Sequence, residues 1–333
     1  MREYLNAAEA AVPLLIGADT PVDATGWRLS YYITGVVMTY GALERFVDDT
    51  LVTAARLLNL LEPSYAALPE KVRASHLELT VLVLRSLDHP RWVGLNAADL
   101  TRRLSVCLDG VEPYELNVDV FRERQGNYRH EHVVDCCGRL GVAIPDEIGS
   151  ERLRDILNGP LAGRYARPSS LLEDLVTRRN EAAHGLDVDD VLDASTLLAI
   201  TDAVEQYAYG VRTSMVASLC AHLAPADGTD LGELSHAWTD VTSGVRSIGE
   251  ISQRDGAGPL QVGDVVILGS GDRKRIGEVA SIGWGSRRPR EVAAVAGRKL
   301  ALNFDRRVSE GERVLRVGKR CAEALRPYAR WPT

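Results

Sequence analysis

The residues whose types and spacing best suit chemistry are Arg179, Asn180 and His184. They lie in the stretch RRNEAAHG, where three residues separate Asn180 from His184. A guanidinium is a permanent cation that can hold a phosphate, and an imidazole can move a proton near neutral pH. An amide can orient either group. These are the residue types that metal-free cleavage of an RNA phosphodiester requires.

The spacing is a weak signal by itself, because the chain is rich in arginine and has seven histidines. Arg124 and His130 form a second, looser match of the same kind. The stretch at 178–185 differs in its context, since it ends an amphipathic segment and Gly185 follows the histidine as a helix-stop signal. This context predicts that the three side chains lie at the C-terminal end of a helix.

A regular helix places these three side chains on different faces. Asn180 and His184, four residues apart, share one face, whereas Arg179 and His184 are separated by about 140° around the axis. One chain then aims the cation and the imidazole in different directions. The geometry favours a site to which a second chain contributes its own motif, so we expect a homodimer.

The elements that must position these residues are helices. Apolar residues recur at steps of three and four through the first two-thirds of the chain, and cap and stop signals bound each run. The predicted helices cover 31–61, 69–87, 97–108, 128–140, 150–157, 169–184 and 194–223. Two long helices flank the one that carries the motif, so the sequence predicts an all-α bundle.

After residue 225 the sequence changes character, because glycine and aspartate separate short runs of β-branched residues. The predicted strands cover 262–268, 277–282, 291–295, 300–304 and 312–317, with a first strand inside 237–251. This pattern predicts a small antiparallel β-barrel. The predicted domains are a helical domain over 1–224, a linker over 225–232, a barrel over 233–320 and a tail over 321–333.

Composition is that of a globular protein, with 45% hydrophobic and 26% charged residues. No apolar run has the length of a membrane span, and the N-terminus has no basic region before its short apolar stretch. We therefore expect a cytoplasmic protein without a membrane partner. The five cysteines lack the spacing of a zinc site, so they are interpreted as reduced core thiols, and no metal or other cofactor is expected.

Charge is unevenly distributed along the chain, whose net charge is -7. Residues 259–333 contain 16 basic and 8 acidic residues, a local charge of +8, and the remainder carries -15. This asymmetry fits a C-terminal part that faces nucleic acid on an acidic scaffold. It fits equally well two parts of one chain that attract each other.

The pattern Arg-Asn-x-x-x-His-Gly in an all-α bundle resembles the HEPN superfamily, specifically its RiboL-PSP type. The resemblance covers residues 31–223. It includes the helix YGALERFVDD at 40–49, which in the family carries a glutamate on the bundle face, and the stretch at 127–141.

The resemblance implies a metal-independent endoribonuclease in which two motifs face each other across a homodimer. His184 would be the general base on the ribose 2′-hydroxyl or the general acid at the leaving 5′-oxygen. Arg179 would hold the phosphate, and Asn180 would orient the histidine or bind the phosphate. Glu44 is a further candidate for support. The implied products carry a 2′,3′-cyclic phosphate and a 5′-hydroxyl.

Other interpretations remain open. Many members of the superfamily lack catalysis and serve as RNA-binding or protein-interaction scaffolds. The match can also be fortuitous, with Arg179 pairing with an acidic neighbour, and Glu44 can be a solvated side chain. If the enzyme interpretation holds, the resemblance implies a toxin or phage-defence effector with a neutralising or regulatory protein partner.

The C-terminal strands are similar to the second-domain β-barrel of translational GTPases such as elongation factor Tu. The likeness rests on VGD at 262–264, VASI at 279–282 and AG at 296–297. The chain has no phosphate-binding GxxxxGK[ST] loop, so GTPase activity is not implied.

Such barrels contact tRNA or ribosomal RNA, which makes a translation RNA the expected substrate. Basic residues beside a tryptophan fit backbone-dominated RNA binding. The candidate RNA-binding residues are Arg273, Lys274, Arg275, Trp284, Arg287, Arg288 and Arg290. A solvated positive face, or a surface that docks the acidic helical domain, is the alternative.

Overall fold

Helices form most of the chain up to residue 226 in the computed structural model, which describes 24–145, 148, 151–184, 190–226, 228–239, 247–252, 259–269, 275–283, 287–293, 295, 297–304, 308–318, 322–323 and 325. The α-helices are α1 Ala24–Leu61, α2 Glu70–Arg85, α3 Ala97–Leu108, α4 His130–Arg139, α5 Glu151–Asn158, α6 Pro168–His184 and α7 Ala194–Ala226. Short 3-10 helices lie at Tyr65–Ala67, Pro90–Trp92 and Val118–Arg122. All the predicted helices are confirmed; α1 begins seven residues earlier than predicted, and the other ends differ by at most three residues.

The described residues fall into two compact units. The helical unit consists of 24–53, 69–105 and 117–212, and the sheet unit consists of 54–68, 106–116 and the described residues from 213 onward. None of the helices in the described part of the chain combines the length and the apolar character needed to cross a membrane.

The core of the helical unit is built from the stripes that the sequence predicts. The buried apolar residues of its three main helices are Val36, Tyr40, Leu43, Val47 and Leu51 of α1, Leu171, Leu172, Leu175 and Val176 of α6, and Leu197, Ile200, Val204, Tyr207 and Val211 of α7. Each large side chain contributes roughly 1.5–3 kcal/mol by leaving water. Because α6 buries one face, its other face is left to carry polar groups. Helix α4 packs against both α6 and α2.

The sheet unit contains eight described strands: β1 Gly228–Thr239, β2 Ser247–Ser252, β3 Leu260–Gln261, β4 Val265–Leu268, β5 Arg275–Gly283, β6 Glu291–Val292, β7 Lys299–Phe304 and β8 Arg313–Val317. Six of them pair antiparallel in the order β1-β2-β7-β5-β4-β8, and β8 pairs in turn with β1. Strands β3 and β6 form a separate pair. The expected order, a helical region followed by an antiparallel sheet, is confirmed.

The boundary between helix and sheet differs from the prediction. Helix α7 continues to Ala226 and β1 starts at Gly228, so the segment 225–232 contains the end of a helix and the start of a strand instead of a linker. The first strand was expected inside 237–251, which instead contains the end of β1 and the start of β2.

The glycine-rich start of β1 explains this difference. Its pairing with β8 shifts register between Asp230 and Gly232, and Gly232 has a φ of 112°, in the region that glycine tolerates best. A composition typical of a loop therefore forms a bulged strand. Leu231 and Leu234 bury their side chains in the core of the sheet unit, which stabilises the strand through the bulge.

The described cysteine side chains agree with the prediction of core thiols. Cys107, Cys136 and Cys137 are buried and free. Burial raises the pKa of each thiol, to about 11 for Cys107 and Cys136, so they remain protonated and behave as small apolar side chains.

His76 is a buried, neutral histidine in the core of the helical unit. Its side chain in α2 is fully buried, and its Nε2 accepts a hydrogen bond from the Asn117 backbone N–H at 3.0 Å. Its ring stacks on Phe121 with 6.3 Å between ring centroids. Burial lowers the pKa of His76 from 6.5 to about 4, because a charged ring would lose its hydration.

This arrangement makes stability depend on pH. Above 6.5 neither state carries the proton, and between 6.5 and about 4 only the unfolded state gains it, so the free energy of unfolding falls as the pH is lowered. We expect His76 to contribute a loss of about 1.4 kcal/mol per pH unit in this window. Urea unfolding of His76→Gln should show a shallower pH dependence than wild type. The exposed His89→Gln is the control, and equal slopes for all three proteins would contradict the assignment.

Candidate active site at the end of helix α6

Helix α6 forms where the sequence predicts it and ends at the residue that the motif requires. Pro168 occupies its first position, where a missing N–H costs nothing, and Ser170 exchanges hydrogen bonds with the Arg167 backbone. The helix ends at His184. The side chain of His184 lies outside the described part of the structure, as does Gly185, so the position of the imidazole stays a prediction.

Arg178, the first arginine of the stretch, is an anchor. It is buried, and its Nη1 donates to the Tyr32 hydroxyl of α1 at 2.8 Å and to the Asp190 carbonyl at 2.9 Å. Its Nη2 and Nε donate to the carboxylates of Asp190 at 2.7 Å and Asp174 at 2.8 Å. These bonds fix α6 against α1 and hold Asp190, which lies shortly before α7. The hydrogen bond from Arg178 also holds the pKa of Asp190 below its usual value.

Arg179, the motif arginine, differs from Arg178 because none of its described partners carries a negative charge. It is partly exposed, and its described partners are neutral. Its Nη1 donates to Asn180 Oδ1 at 3.2 Å, and its guanidinium carbon lies 5.5 Å from the centroid of the Tyr40 ring. No described carboxylate lies within ion-pairing distance of it, which argues against the interpretation that Arg179 simply pairs with an acidic neighbour. Neither of its described partners neutralises its charge.

Asn180 is oriented by a hydrogen-bonded chain that reaches α1. Its Oδ1 accepts from Asn127 Nδ2 at 3.0 Å, and Asn127 Oδ1 accepts from the Tyr40 hydroxyl at 3.3 Å. The Tyr40 oxygen accepts in turn from the Tyr128 backbone N–H at 2.9 Å. A carbonyl oxygen can only accept, so each of these hydrogen bonds determines which end of the neighbouring amide, oxygen or nitrogen, faces it. The oxygen of Asn180 is therefore turned towards Asn127, and the described contacts of its side chain leave Nδ2 unused.

The chain of hydrogen bonds continues from Tyr128 to the carboxylate of Asp48, which is largely but not fully buried. The Tyr128 hydroxyl donates to Asp48 Oδ1 at 2.5 Å, and Asp48 also accepts from Arg91 and Arg124, each at 3.1 Å. Arg124 forms an ion pair with Glu44, and its guanidinium carbon lies 4.0 Å from the centroid of the Tyr128 ring. Glu44 is thus a paired residue of this network, but no described contact joins it to the motif.

Burial sets the protonation of the network. It raises the pKa of Tyr40 and of Tyr128, so both phenols keep their hydrogen and can donate. Burial also raises the pKa of Asp48, while the Tyr128 hydrogen bond and the charge of Arg91 oppose that rise. Donors on Asp48 stabilise its charged form in the protein interior.

Asn127 is the functional residue that the motif does not reveal. Besides its bonds to Asn180 and Tyr40, its backbone carbonyl lies 2.6 Å from His132 Nδ1. It is 53 residues from Asn180 and 87 from Tyr40 along the chain. No periodicity connects residues so far apart, and only the stretch at 127–141 noted in the family resemblance pointed to this segment.

The predicted RNA-binding residues are only partly described. Arg287, Arg288 and Arg290 are exposed in the sheet unit, and Arg288 Nη1 donates to the Arg287 carbonyl at 3.1 Å. Arg275 is the first residue of β5, but its side chain is outside the described part of the chain, as are Arg273, Lys274 and Trp284. RNA binding by these residues stays a prediction.

Comparison with known proteins identifies the family. A family model for the RiboL-PSP-HEPN domain matches residues 21–222. The match covers more than half of the chain, so the protein belongs to the RiboL-PSP-HEPN family. Members of the HEPN group are commonly ribonucleases, which favours an enzyme that acts on RNA or a protein that binds it. No curated protein and no solved structure matches the chain, so the likeness of the sheet to translational GTPases stays a prediction.

Removing the Asp48 carboxylate tests the network as a structural unit. Asp48→Ala leaves Arg91 and Arg124 without this shared acceptor, and loss of one member of a buried ion pair costs about 3–5 kcal/mol. We expect a fall of that order in the free energy of unfolding, measured by urea denaturation. The neighbouring Asp49→Ala is the control, because Asp49 is exposed and its pair with Arg45 spans 3.8 Å. Similar losses for both variants would contradict the assignment.

Proposed function

We propose that the protein is a metal-independent endoribonuclease of the HEPN type whose site consists of Arg179, Asn180 and His184. The observation that carries this proposal is the pair of donors at the end of α6. Arg179 has a guanidinium without a described carboxylate partner, and Asn180 has its oxygen fixed inward by Asn127. The remaining guanidinium N–H groups of Arg179 and the Nδ2 of Asn180, on adjacent residues, suit the non-bridging oxygens of a phosphodiester.

The proposed reaction is attack of a ribose 2′-hydroxyl on the adjacent phosphorus, with loss of the 5′-oxygen of the next nucleotide. Arg179 neutralises the charge that accumulates on the phosphoryl oxygens, and Asn180 Nδ2 holds one of them. His184 transfers a proton, either from the 2′-hydroxyl or to the leaving oxygen. The products are a 2′,3′-cyclic phosphate and a 5′-hydroxyl.

A homodimer is part of the proposal, because the helix geometry separates Arg179 from His184. The Arg179 side chain partly compensates for this angle. Its guanidinium bends towards Asn180 Oδ1 and so lies near the helix face that Asn180 and His184 share. A second chain then brings its own motif, and with it a second cation, to the same phosphate.

We further propose that the sheet unit is a barrel that contacts RNA and that a translation RNA such as tRNA is the substrate. The exposed arginines at 287, 288 and 290 and the positive charge of residues 259–333 support RNA contact. A toxin or phage-defence role, with a neutralising or regulatory protein, is the biological setting that we infer from the family.

Cleavage assays test the proposed activity. Total RNA and a short RNA oligonucleotide are incubated with wild type and with His184→Ala in the presence of a chelator of divalent cations. Wild type should produce 2′,3′-cyclic phosphate ends, and the variant should lose roughly 10²–10⁴-fold in rate, the usual contribution of a proton-transfer group. Arg179→Ala should lose a comparable factor because the charge on phosphorus is left unstabilised. Equal and negligible cleavage by all proteins would instead support a scaffold that binds RNA or a partner protein.

Charge reversal tests RNA contact by the sheet unit. The triple variant Arg287→Glu, Arg288→Glu and Arg290→Glu should bind RNA more weakly and lose part of its salt dependence, since each phosphate contact adds to the slope of log K against log salt. Affinity is measured by fluorescence anisotropy between about 50 and 200 mM salt. As a matched control, Glu233, Glu310 and Glu312 are replaced by Gln in the same unit. Unchanged affinity and slope in the arginine variant would exclude this surface.

A further inference from the structure

His132 has the tautomer and the setting of a general base. It lies in the first turn of α4, its side chain is 38% exposed, and its Nδ1 is 2.6 Å from the Asn127 carbonyl oxygen. A carbonyl oxygen can only accept, so Nδ1 carries the hydrogen and donates it. In the neutral ring, Nε2 is then the nitrogen with a free lone pair.

The partner of His132 connects it to the motif. Asn127 binds His132 through its backbone carbonyl and Asn180 through its side-chain Nδ2. One residue therefore positions an imidazole and the motif asparagine at the same time. The Tyr40 hydroxyl fixes the Asn127 amide, so this positioning is connected to the buried core of α1.

Charged groups of both signs lie around the His132 ring. The nearest is Glu131, whose Oε1 lies 4.0 Å from Nε2. The ring also lines a cleft of about 290 Å³ between α2, α4 and the segment before α4. The charged groups that line it are Glu78 of α2, Glu123 and Arg124 of that segment, and Asp135 and Arg139 of α4.

The two arginines of the cleft already have partners. Arg124 pairs with Glu44 and Asp48, and Arg139 pairs with Asp135 at 2.7 Å. The Asn127 carbonyl accepts a hydrogen bond from Nδ1 whether or not Nε2 holds a proton, so the ring keeps its orientation during proton transfer.

We propose that His132 is a second proton-transfer group of the ribonuclease site, acting as general base while His184 acts as general acid. The inference rests on the proposed function. His132 Nε2 takes the proton of the 2′-hydroxyl as the 2′-oxygen bonds to phosphorus. The bond from phosphorus to the 5′-oxygen breaks, and His184 gives that oxygen a proton. One P–O bond forms as another breaks, and one proton is taken up as another is released, so the step needs no further reactant.

A substrate that needs no general acid separates the two roles. In an RNA oligonucleotide with sulfur in place of the bridging 5′-oxygen, the leaving group departs without protonation. His184→Ala should be slow on the oxygen substrate and regain most of the wild-type rate on the sulfur substrate. His132→Gln should be slower than wild type by roughly 10²–10⁴-fold on both, because the base is required for either leaving group.

Replacement by glutamine distinguishes a loss of proton transfer from a loss of the structural hydrogen bond to Asn127. A glutamine amide can donate to the Asn127 carbonyl but cannot accept a proton at neutral pH, so the variant should keep the wild-type melting temperature. His130→Gln is the matched control on the same helix, since His130 Nδ1 lies 3.0 Å from the Tyr207 hydroxyl instead, and its cleavage rate should be unchanged.

Each outcome distinguishes the inference from the proposed function. If wild type cleaves RNA and His132→Gln cleaves as fast, the inference is wrong and the proposed function stands. If His132→Gln is slow only with the oxygen substrate, His132 is not the base. If wild type cleaves neither substrate, the proposed function and the inference about His132 are both wrong.

Discussion

The Tyr40 hydroxyl is the constraint on which the described part of the site depends. Its side chain is buried in α1, where a hydroxyl without partners would cost about 1–3 kcal/mol. It donates a hydrogen bond to Asn127 and accepts one from the Tyr128 backbone N–H. The donor and the acceptor of the hydroxyl therefore bind two consecutive residues of one loop. That loop is thereby fixed on α1, with Asn127 directed towards the motif and Tyr128 directed towards Asp48. Each later interaction in the network follows from this placement.

Two adjacent arginines show how the helix divides structural and chemical roles. Arg178 lies seven residues after the buried Leu171, on the core face of α6. Its charge is neutralised by two carboxylates. Arg179, one position further, turns away from that face and contacts an amide and an aromatic ring. Neither partner neutralises it. The electrostatic difference between the two residues comes from 100° of helix rotation, which burial of the leucine face fixes.

Periodicity predicts those features that depend on neighbours along the chain. The helices, most strands and the end of α6 are local in this sense, and the structure has them. The network is not local, because Tyr40, Asn127 and Asn180 meet only after the bundle has formed. The error at the linker has a different origin. Glycine and aspartate predict a linker at 225–232, but burial of Leu231 and Leu234 in the core of the sheet unit stabilises a bulged strand in the second half of that segment.

The side chain of Arg179 also changes what the motif requires of a partner chain. Backbone geometry alone separates Arg179 from His184 by about 140° and leaves the cation and the imidazole on different faces. The guanidinium nevertheless reaches Asn180 Oδ1, on the face that His184 shares. A long side chain thus brings the cation back to the amide that Asn127 orients. If His132 supplies the base, one chain provides a phosphate-binding pair and two proton-transfer groups. No residue type needed for the proposed reaction would then have to come from a partner chain.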